Sequence, residues 1–376
     1  MNPRRVGAVA RKEFLHVIRD FRSLLMAIGT PVLLLTLFGY ALTLDVDNVP
    51  LAVWDQSGTA RSRELISRFS GSRYFSLRMN VYNYADLVRA IDTRQVTMGL
   101  VVPRDFAQKV DAGRDAPVQL LVDGSDSNTA TIAIGYAEVI AQIYALDLTV
   151  EQNQRRNGQG VTIPLDVCPR VWFNEELESR NYIIPGLIAV IMMVIAAMLT
   201  SLTVAREWER GTMEQLIATP VKPGELILGK LVPYFAIGMC DVTLAVLMGE
   251  FVFHVPLRGN VALLFGTSVI FLIGALSMGI LVSIVTKSQL LSSQIAVVAT
   301  FLPAFLLSGF IFTIANMPQV IQVVTYLVPA RYFVAILKGI YLKGVGLEIL
   351  AGQIGFLVVY AVVMVLLANW KFKKKL

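Results

Sequence analysis

Cysteine and histidine are almost missing from this chain, with two of each in 376 residues. Cys168 and Cys240 fall in different segments and form no CxxC pair, so neither a disulfide framework nor a thiolate metal site is expected. His16 and His254 lie far apart in sequence, which argues against a histidine metal centre. Charge is also scarce. Asp, Glu, Lys and Arg make up 16% of the chain, where a soluble globular protein carries about 25%. The hydrolase signatures H-E-x-x-H and G-x-S-x-G are absent. One near-miss, GELILGKL at Gly224 to Leu231, opens like the nucleotide-binding loop G-x-x-x-x-G-K. Leu231 stands where a Ser or Thr must hold magnesium, and no strand precedes it. The chain is therefore not expected to bind ATP, and Lys230 reads as an interfacial anchor that snorkels. No catalytic residue and no metal ligand emerges.

What the chain has instead is hydrocarbon. Hydrophobic residues make up 55% of it, in several runs of the roughly 20 residues that cross a bilayer as a helix. This composition describes an α-helical integral membrane protein. Six transmembrane helices are read: Leu24 to Leu44, Ile183 to Ala205, Ile227 to Val252, Val261 to Val285, Leu290 to Ile314 and Leu347 to Trp370. The first is too long for a signal-peptide core and has no A-x-A site after it, so it reads as an uncleaved anchor. The net charge of +6 does not indicate nucleic acid, because the basic residues gather at span ends. On one side the short flanks and loops hold fifteen Lys and Arg; on the other they hold four. The positive-inside rule then places both termini in the cytoplasm and leaves 45–182 outside.

These spans divide the chain. Residues 1–22 mix Val6, Val9, Phe14, Val17 and Ile18 with Arg5, Arg11, Lys12, Arg19 and Arg22, the pattern of a basic amphipathic helix lying on membrane lipid. The first transmembrane helix occupies 23–44. Residues 45–182 form an external α/β domain, in which strands LAVWD, FSLRM, MGLVVP and VQLLVDG alternate with helical ARSRELISRF, ADLVRAIDTR and RDFAQKVDAG. A long helix from Thr129 to Arg156 and a strand from Asp166 to Phe173 follow. Glu138, Gln142, Asp147 and Glu151 argue against a further span in that helix. DGSDSN, at 123–128, lacks calcium-loop spacing and reads as a turn with a helix N-cap. Residues 183–370 hold the other five spans, with short re-entrant or interfacial helices within 315–346. Residues 371–376 are a basic tail.

Between the second and third spans, at 205–220, runs AREWERGTMEQLIATP. Helical spacing pairs Arg206 with Glu209, Glu207 with Arg210, and Arg210 with Glu214. Gly211 weakens a helix by about 1 kcal/mol relative to Ala, so it marks a bend or a close contact. Trp208, Met213, Leu216 and Ile217 supply an apolar side. A charged elbow of this kind, between two spans on the cytoplasmic side, reads as a docking surface for a partner.

This segment resembles the ABC-2 family of ABC transporter permeases. The likeness rests on ERGTMEQLxxTP (Glu209 to Pro220) followed by GELILGK (Gly224 to Lys230). It extends to the bacterial subgroup with a large external domain through VWDQSGTARSRELISRF, GLVVPRDFAQKV, LLVDGSDSNTA and FHVPLRGN. The resemblance implies a permease of the bacterial inner membrane that moves a hydrophobic or amphipathic substrate outward. ATP and magnesium would sit on separate cytoplasmic ATPase subunits, gripped through Arg206, Glu207, Glu209, Arg210, Gly211, Thr212 and Glu214. A second permease copy, identical or related, completes such a transporter. Relatives with the large domain pair with a periplasmic adaptor and an outer-membrane channel.

The resemblance also points to the second and fifth spans as the lining of the path, which makes Met192, Met193, Phe301 and Phe305 candidates. Asp241, a carboxyl in the middle of the third span, is a fifth, because an intramembrane charge is costly. Helix packing is the competing role for each. A membrane sensor or scaffold built around the external domain is the alternative function, and a secondary transporter is a third. Neither accounts for the elbow.

Overall fold

A computed structural model of the chain describes residues 2–19, 25–42, 46–157, 172–174 and 178–372. It divides into two compact units: Met1–Thr43 with Arg170–Leu376, and Leu44–Pro169. The boundary read at 182 falls inside a helix, because the apolar span is preceded by a polar first turn that starts at Ser179.

The chain opens with α1 (Pro3–Arg19). Its stripe of Val9, Glu13 and Val17 is buried, while Phe14, Leu15 and Ile18 are exposed. A π turn over Leu25–Gly29 leads into α2 (Thr30–Ala41). Pro31 sits in the first turn of α2, where a missing N–H leaves nothing unpaired. The expected first span is helical from Leu25 to Ala41, and its residues 24, 43 and 44 lie outside those described.

The second unit runs β1 (Val49–Asp55), α3 (Ala60–Ser70), β2 (Phe75–Asn80), α4 (Tyr84–Asp92), β3 (Met98–Val102), α5 (Phe106–Asp111), β4 (Gln119–Val122) and α6 (Ser127–Asn157). The sheet order is β2-β1-β3-β4; β1 runs parallel to β2 and β3, and β4 antiparallel to β3. Strand alternation sends Leu51, Val53, Met98 and Leu100 to one face, under α3, α5 and α6. It sends Ala52 and Val101 to the other, under Leu87 and Ala90 of α4. Asp126 caps α6 by accepting from the N–H groups of Asn128 and Thr129, which is the structure of the DGSDSN stretch. Of the expected last strand, residues 166–171, Cys168 among them, lie outside those described, and Trp172 and Phe173 form no strand.

The first unit resumes with α7 (Ser179–Glu209), α8 (Thr212–Ala218), α9 (Pro223–Leu247) and a π turn at Met248–Val252. Then come α10 (Val261–Thr286), α11 (Gln289–Leu306), α12 (Gln319–Thr325), α13 (Pro329–Lys338), a π turn at Gly339–Lys343, and α14 (Leu347–Lys371). Among the described residues six helices are long and apolar enough to cross a membrane: α6, α7, α9 with its π turn, α10, α11 and α14. Helix α6 belongs to the sheet unit. There Ala133, Ala137 and Tyr144 pack into the core, and Asp147 and Glu151 pair with Arg68 and Arg61. The other five coincide with the second to sixth spans read above, with one correction. The fifth stops at Leu306 rather than Ile314, because Pro303 removes an N–H from its last turn and Gly309 turns the chain with φ +78°. Helices α12 and α13 then meet at 84°, as a bent hairpin.

Helix α7 is the hub of this bundle, buried along nearly its whole length. At Gly279 of α10 a Cβ would lie 2.1 Å from Thr200 Oγ1 and 2.3 Å from the Ala197 carbonyl oxygen. Only glycine permits that approach, the small-residue contact by which membrane helices pack.

Candidate functional site

The elbow comprises the end of α7, a turn at Arg210 and Gly211, α8, and the stretch before Pro223. Gly211 has φ +70°, and nothing lies within 4 Å of where its Cβ would stand. It is a bend and not a close contact: α7 ends there and α8 leaves in a new direction. Helical spacing does not carry from Arg210 to Glu214 across such a bend, and upstream of it partners from other elements engage Arg206, Glu207 and Glu209 instead. Among the described residues none of the three expected pairs forms, neither Arg206–Glu209, Glu207–Arg210 nor Arg210–Glu214. Each charge that is engaged has found a partner from another element.

Glu207 points inward and is buried. It accepts from Lys12 Nζ at 2.6 Å and from the Thr212 hydroxyl, and lies 3.5 Å from Lys230 Nζ. Lys230 is 1% exposed, 2.6 Å from Glu13 Oε1 and 3.3 Å from the Thr203 carbonyl oxygen. The snorkelling role expected for Lys230 is therefore wrong: its ammonium is held inside by a carboxylate that α1 delivers. Lys12, Glu13, Glu207 and Lys230 form a charge-balanced cluster joining α1, the end of α7 and the start of α9. A buried charge is tolerated only when paired and hydrogen-bonded in this way.

Further contacts bind α1 to the same place. A Cβ at Gly229 would lie 2.6 Å from Val9 Cβ, so glycine lets α1 lie directly against α9. Glu225 accepts from the N–H of Asn2 at 2.7 Å, and Arg5 donates to the Pro220 carbonyl at 2.6 Å. Arg206 Nη1 donates to His16 Nε2 at 2.6 Å. On the other flank Glu209 accepts from the N–H of Gln289 at 2.7 Å, and the Lys287 ammonium lies 4.3 Å above the Trp208 ring. The elbow thus has two sides. Arg206, Glu207, Glu209 and Thr212 anchor it, with Met213 buried beneath; Arg210, Glu214 and Gln215 stand exposed.

Directly above the elbow, hydroxyl groups tie α7 to its neighbours. Thr200 donates to the Leu276 carbonyl at 2.8 Å, and Ser292 to the Ser201 carbonyl at 2.5 Å. Ser283 accepts from the N–H groups of Val204 and Ala205 at 3.0 and 2.8 Å. The elbow end of α7 is thus hydrogen-bonded to both α10 and α11.

The five path candidates do not share one surface. Phe301 and Phe305 stack with ring centroids 5.3 Å apart, and Phe305 meets Phe38 of α2 at 6.5 Å and Phe310 at 5.8 Å. Met193 faces a different side of α11, with Thr300, Pro303 and Ala304. Met192 is buried in the bundle core. Asp241 lies between α9 and α2, beside Pro31, Val32 and Leu35, with neither carboxyl oxygen hydrogen-bonded. Among the described residues no group of three or more His, Cys, Asp or Glu is arranged to hold a metal ion.

Glu13, Lys12, His16, Gly229 and Gln289 escaped the sequence reading. One signal was present: Glu13 interrupts the stripe of Val6, Val9 and Val17 on α1, and a carboxylate on a buried stripe calls for a cation.

Residues 21–370 match the model of a family described as ABC-2 family transporter protein. The chain is 40% identical over 374 residues to the probable multidrug ABC transporter permease YbhS of Escherichia coli, covering 99% of this chain and 98% of that one. It is 32% identical over 345 residues to the probable multidrug ABC transporter permease YbhR of Escherichia coli, covering 92% of each. It is 25% identical to the inner membrane transport permease YhhJ of Escherichia coli, over 95% of this chain and 96% of that one.

Proposed function

The chain belongs to the ABC-2 family of transporter proteins, a multi-pass membrane family whose permeases work as dimers with separate ATPase subunits, and on that premise we propose that it is the permease of an exporter whose ATPase docks on the elbow. One observation carries this reading. Arg210, in the turn, and Glu214, on α8, are exposed, while the end of α7 that leads into them is fixed by long-range contacts of Glu207 to α1 and α9 and of Glu209 to α11. A free loop would dissipate a push from a partner. A helix clamped at several points transmits it.

In this reading the elbow and α1 face the cytoplasm, as the excess of Lys and Arg on that side supports. Both termini then lie inside and the α/β unit lies outside, in the periplasm. ATP and magnesium reside on the partner. Closure of the two ATPase subunits pushes α8. The hydroxyl contacts of Thr200, Ser283 and Ser292 carry the movement to α10 and α11. Of the path candidates, the stacked α11 aromatics Phe301 and Phe305, which look toward Phe38 of α2, are the proposed path residues, where hydrophobic surface suits an amphipathic or drug-like substrate. The names of the relatives support that substrate class and a place in the inner membrane. The permease pairs with a second copy or a related chain, and the α/β unit offers a surface to a periplasmic adaptor that leads to an outer-membrane channel.

The test is affinity purification of the tagged chain from mildly solubilised native membranes. Copurification of an ATPase with the nucleotide-binding subunit's motifs supports the reading. Its absence across several mild detergents contradicts it.

A further inference from the structure

A cavity of about 270 Å³ lies among α7, α10, α11, α14 and the α12–α13 hairpin. Its walls include Met193, Met278, Thr300, Ala304, Tyr360 and Met364. It is distinct from the Phe301–Phe305 aromatic row, which looks toward Phe38 of α2. Two hydroxyl groups line it, and both are spent elsewhere: Thr300 donates to the Ala296 carbonyl at 2.7 Å, and Tyr360 to the Met278 sulfur at 3.0 Å. The wall therefore offers an occupant almost only hydrocarbon and thioether surface.

Protein interiors are close-packed, and voids larger than a water molecule are few. An engineered apolar cavity of roughly 150 Å³ stays dry and takes up benzene. Water is excluded here on the same ground, for want of free polar partners. Part of the wall is rigid. A Cβ at Gly274 of α10 would lie 2.8 Å from the Tyr360 ring, so the ring rests directly on the α10 backbone. The rest adapts, since the thioethers of Met193, Met278 and Met364 fill irregular shapes at low cost. The cavity also has a mouth. Val324 and Leu327 of the hairpin line it and are themselves 45% and 81% exposed.

We propose that this cavity binds an alkyl chain, entering past Val324 and Leu327 and ending against Met193. The shared chemistry has two sources, the acyl chain of a bilayer lipid or a free apolar molecule. The proposal does not depend on the exporter reading, because the cavity needs neither ATP nor an ATPase subunit to fill.

The experiment uses the full chain in nanodiscs of phosphatidylethanolamine and phosphatidylglycerol. One arm contains a lipid with a diazirine near the end of its acyl chain, and the other contains an alkyl diazirine without a headgroup. After irradiation, labelled peptides are mapped by mass spectrometry. Met193 is the reporter, since it is 2% exposed and out of reach of bulk lipid. Labelling of Met193 is expected, and Ala304→Phe, which fills the cavity, should abolish it while label on exposed Val359 and Leu366 of α14 persists. Ala299→Leu serves as a milder filling variant should Ala304→Phe fail to fold. Label from the lipid arm identifies a bilayer acyl chain as occupant; label from the headgroup-free arm alone identifies a free apolar molecule. No label at Met193 in either arm, or label undiminished in a folded filling variant, overturns the proposal.

Discussion

Lys230 Nζ and Glu13 Oε1 lie 2.6 Å apart, both buried, at a sequence separation of 217. This contact fastens the N-terminal helix to the start of α9, and it places a second carboxylate, Glu207 of the elbow, within 3.5 Å of the same ammonium. Everything proposed about the elbow depends on α1 being a fixed part of it.

Removing one member of such a pair leaves the other charge buried and alone, at a cost of about 3–5 kcal/mol. Lys230→Met and Glu13→Leu should each lower the thermal midpoint of the detergent-solubilised chain substantially. The double variant should recover most of the loss, because two apolar groups replace two charges. Losses that simply add would show that the pair does not interact.

The glycines should respond differently from one another. At Gly229 an added methyl meets the side chain of Val9 on α1, a helix that can move away as a unit. Gly229→Ala should therefore release α1 and let its backbone open to trypsin at the already exposed Arg4 and Arg11, with the bundle intact. At Gly279 the methyl meets the Ala197 carbonyl on α7, and the bundle has nowhere to shift. Overpacking of that kind costs about 1–3 kcal/mol or more, so Gly279→Ala should lower global stability instead. Limited proteolysis and thermal unfolding separate the two.

Asp241 has no hydrogen-bond partner among the described residues and lines a small gap with Pro31, Val32, Leu35, Leu244, Ala245 and Met248. A buried polar group left unsatisfied costs about 1–3 kcal/mol. Asp241→Leu should raise thermal stability by a comparable amount, and Asp241→Asn should leave assembly unchanged. A destabilised leucine variant would mean that the carboxyl is engaged by something outside this chain, such as the second copy.

At the start of α6, hydrogen bonds from the Thr129 side chain and backbone hold the Asp126 carboxyl below its ordinary range. A depressed carboxyl stabilises the fold above its unfolded-state pKa, and the contribution is lost as pH falls through the folded value. Amide protection at Asn128 and Thr129 should match that of Asp126→Ala at acid pH and exceed it near neutrality. Equal protection at both pH values would contradict the cap.

The parts of the molecule that were legible in the sequence are those set by local pattern. Apolar runs marked α7, α9, α10, α11 and α14, and strand alternation marked β1 to β4, because both signals repeat within a few residues. The elbow was located for the same reason, but its wiring was not. The i+4 rule fails for Arg210 and Glu214 because Gly211 ends the helix between them, and the i+3 rule fails upstream because His16, Gln289 and Lys12 engage Arg206, Glu209 and Glu207 instead. The partners of Glu207 and Lys230 come from α1, and no local rule reaches across the intervening chain. Helix α6 has the length and apolarity of a span, but its polar positions Glu138, Gln142, Asp147 and Glu151 argue against one in the sequence, and in the structure Asp147 and Glu151 pair with arginines of the sheet unit.

The central claim is that Arg210 and Glu214 present a docking face from a rigidly held elbow. Its most direct test is copurification of the ATPase with the double charge reversal Arg210→Glu, Glu214→Lys, beside the wild-type chain. Neither side chain belongs to the buried cluster, so the reversal should leave the thermal midpoint unchanged. The account predicts that the ATPase is lost from a fully stable variant. An ATPase retained by that variant at the wild-type level would contradict it.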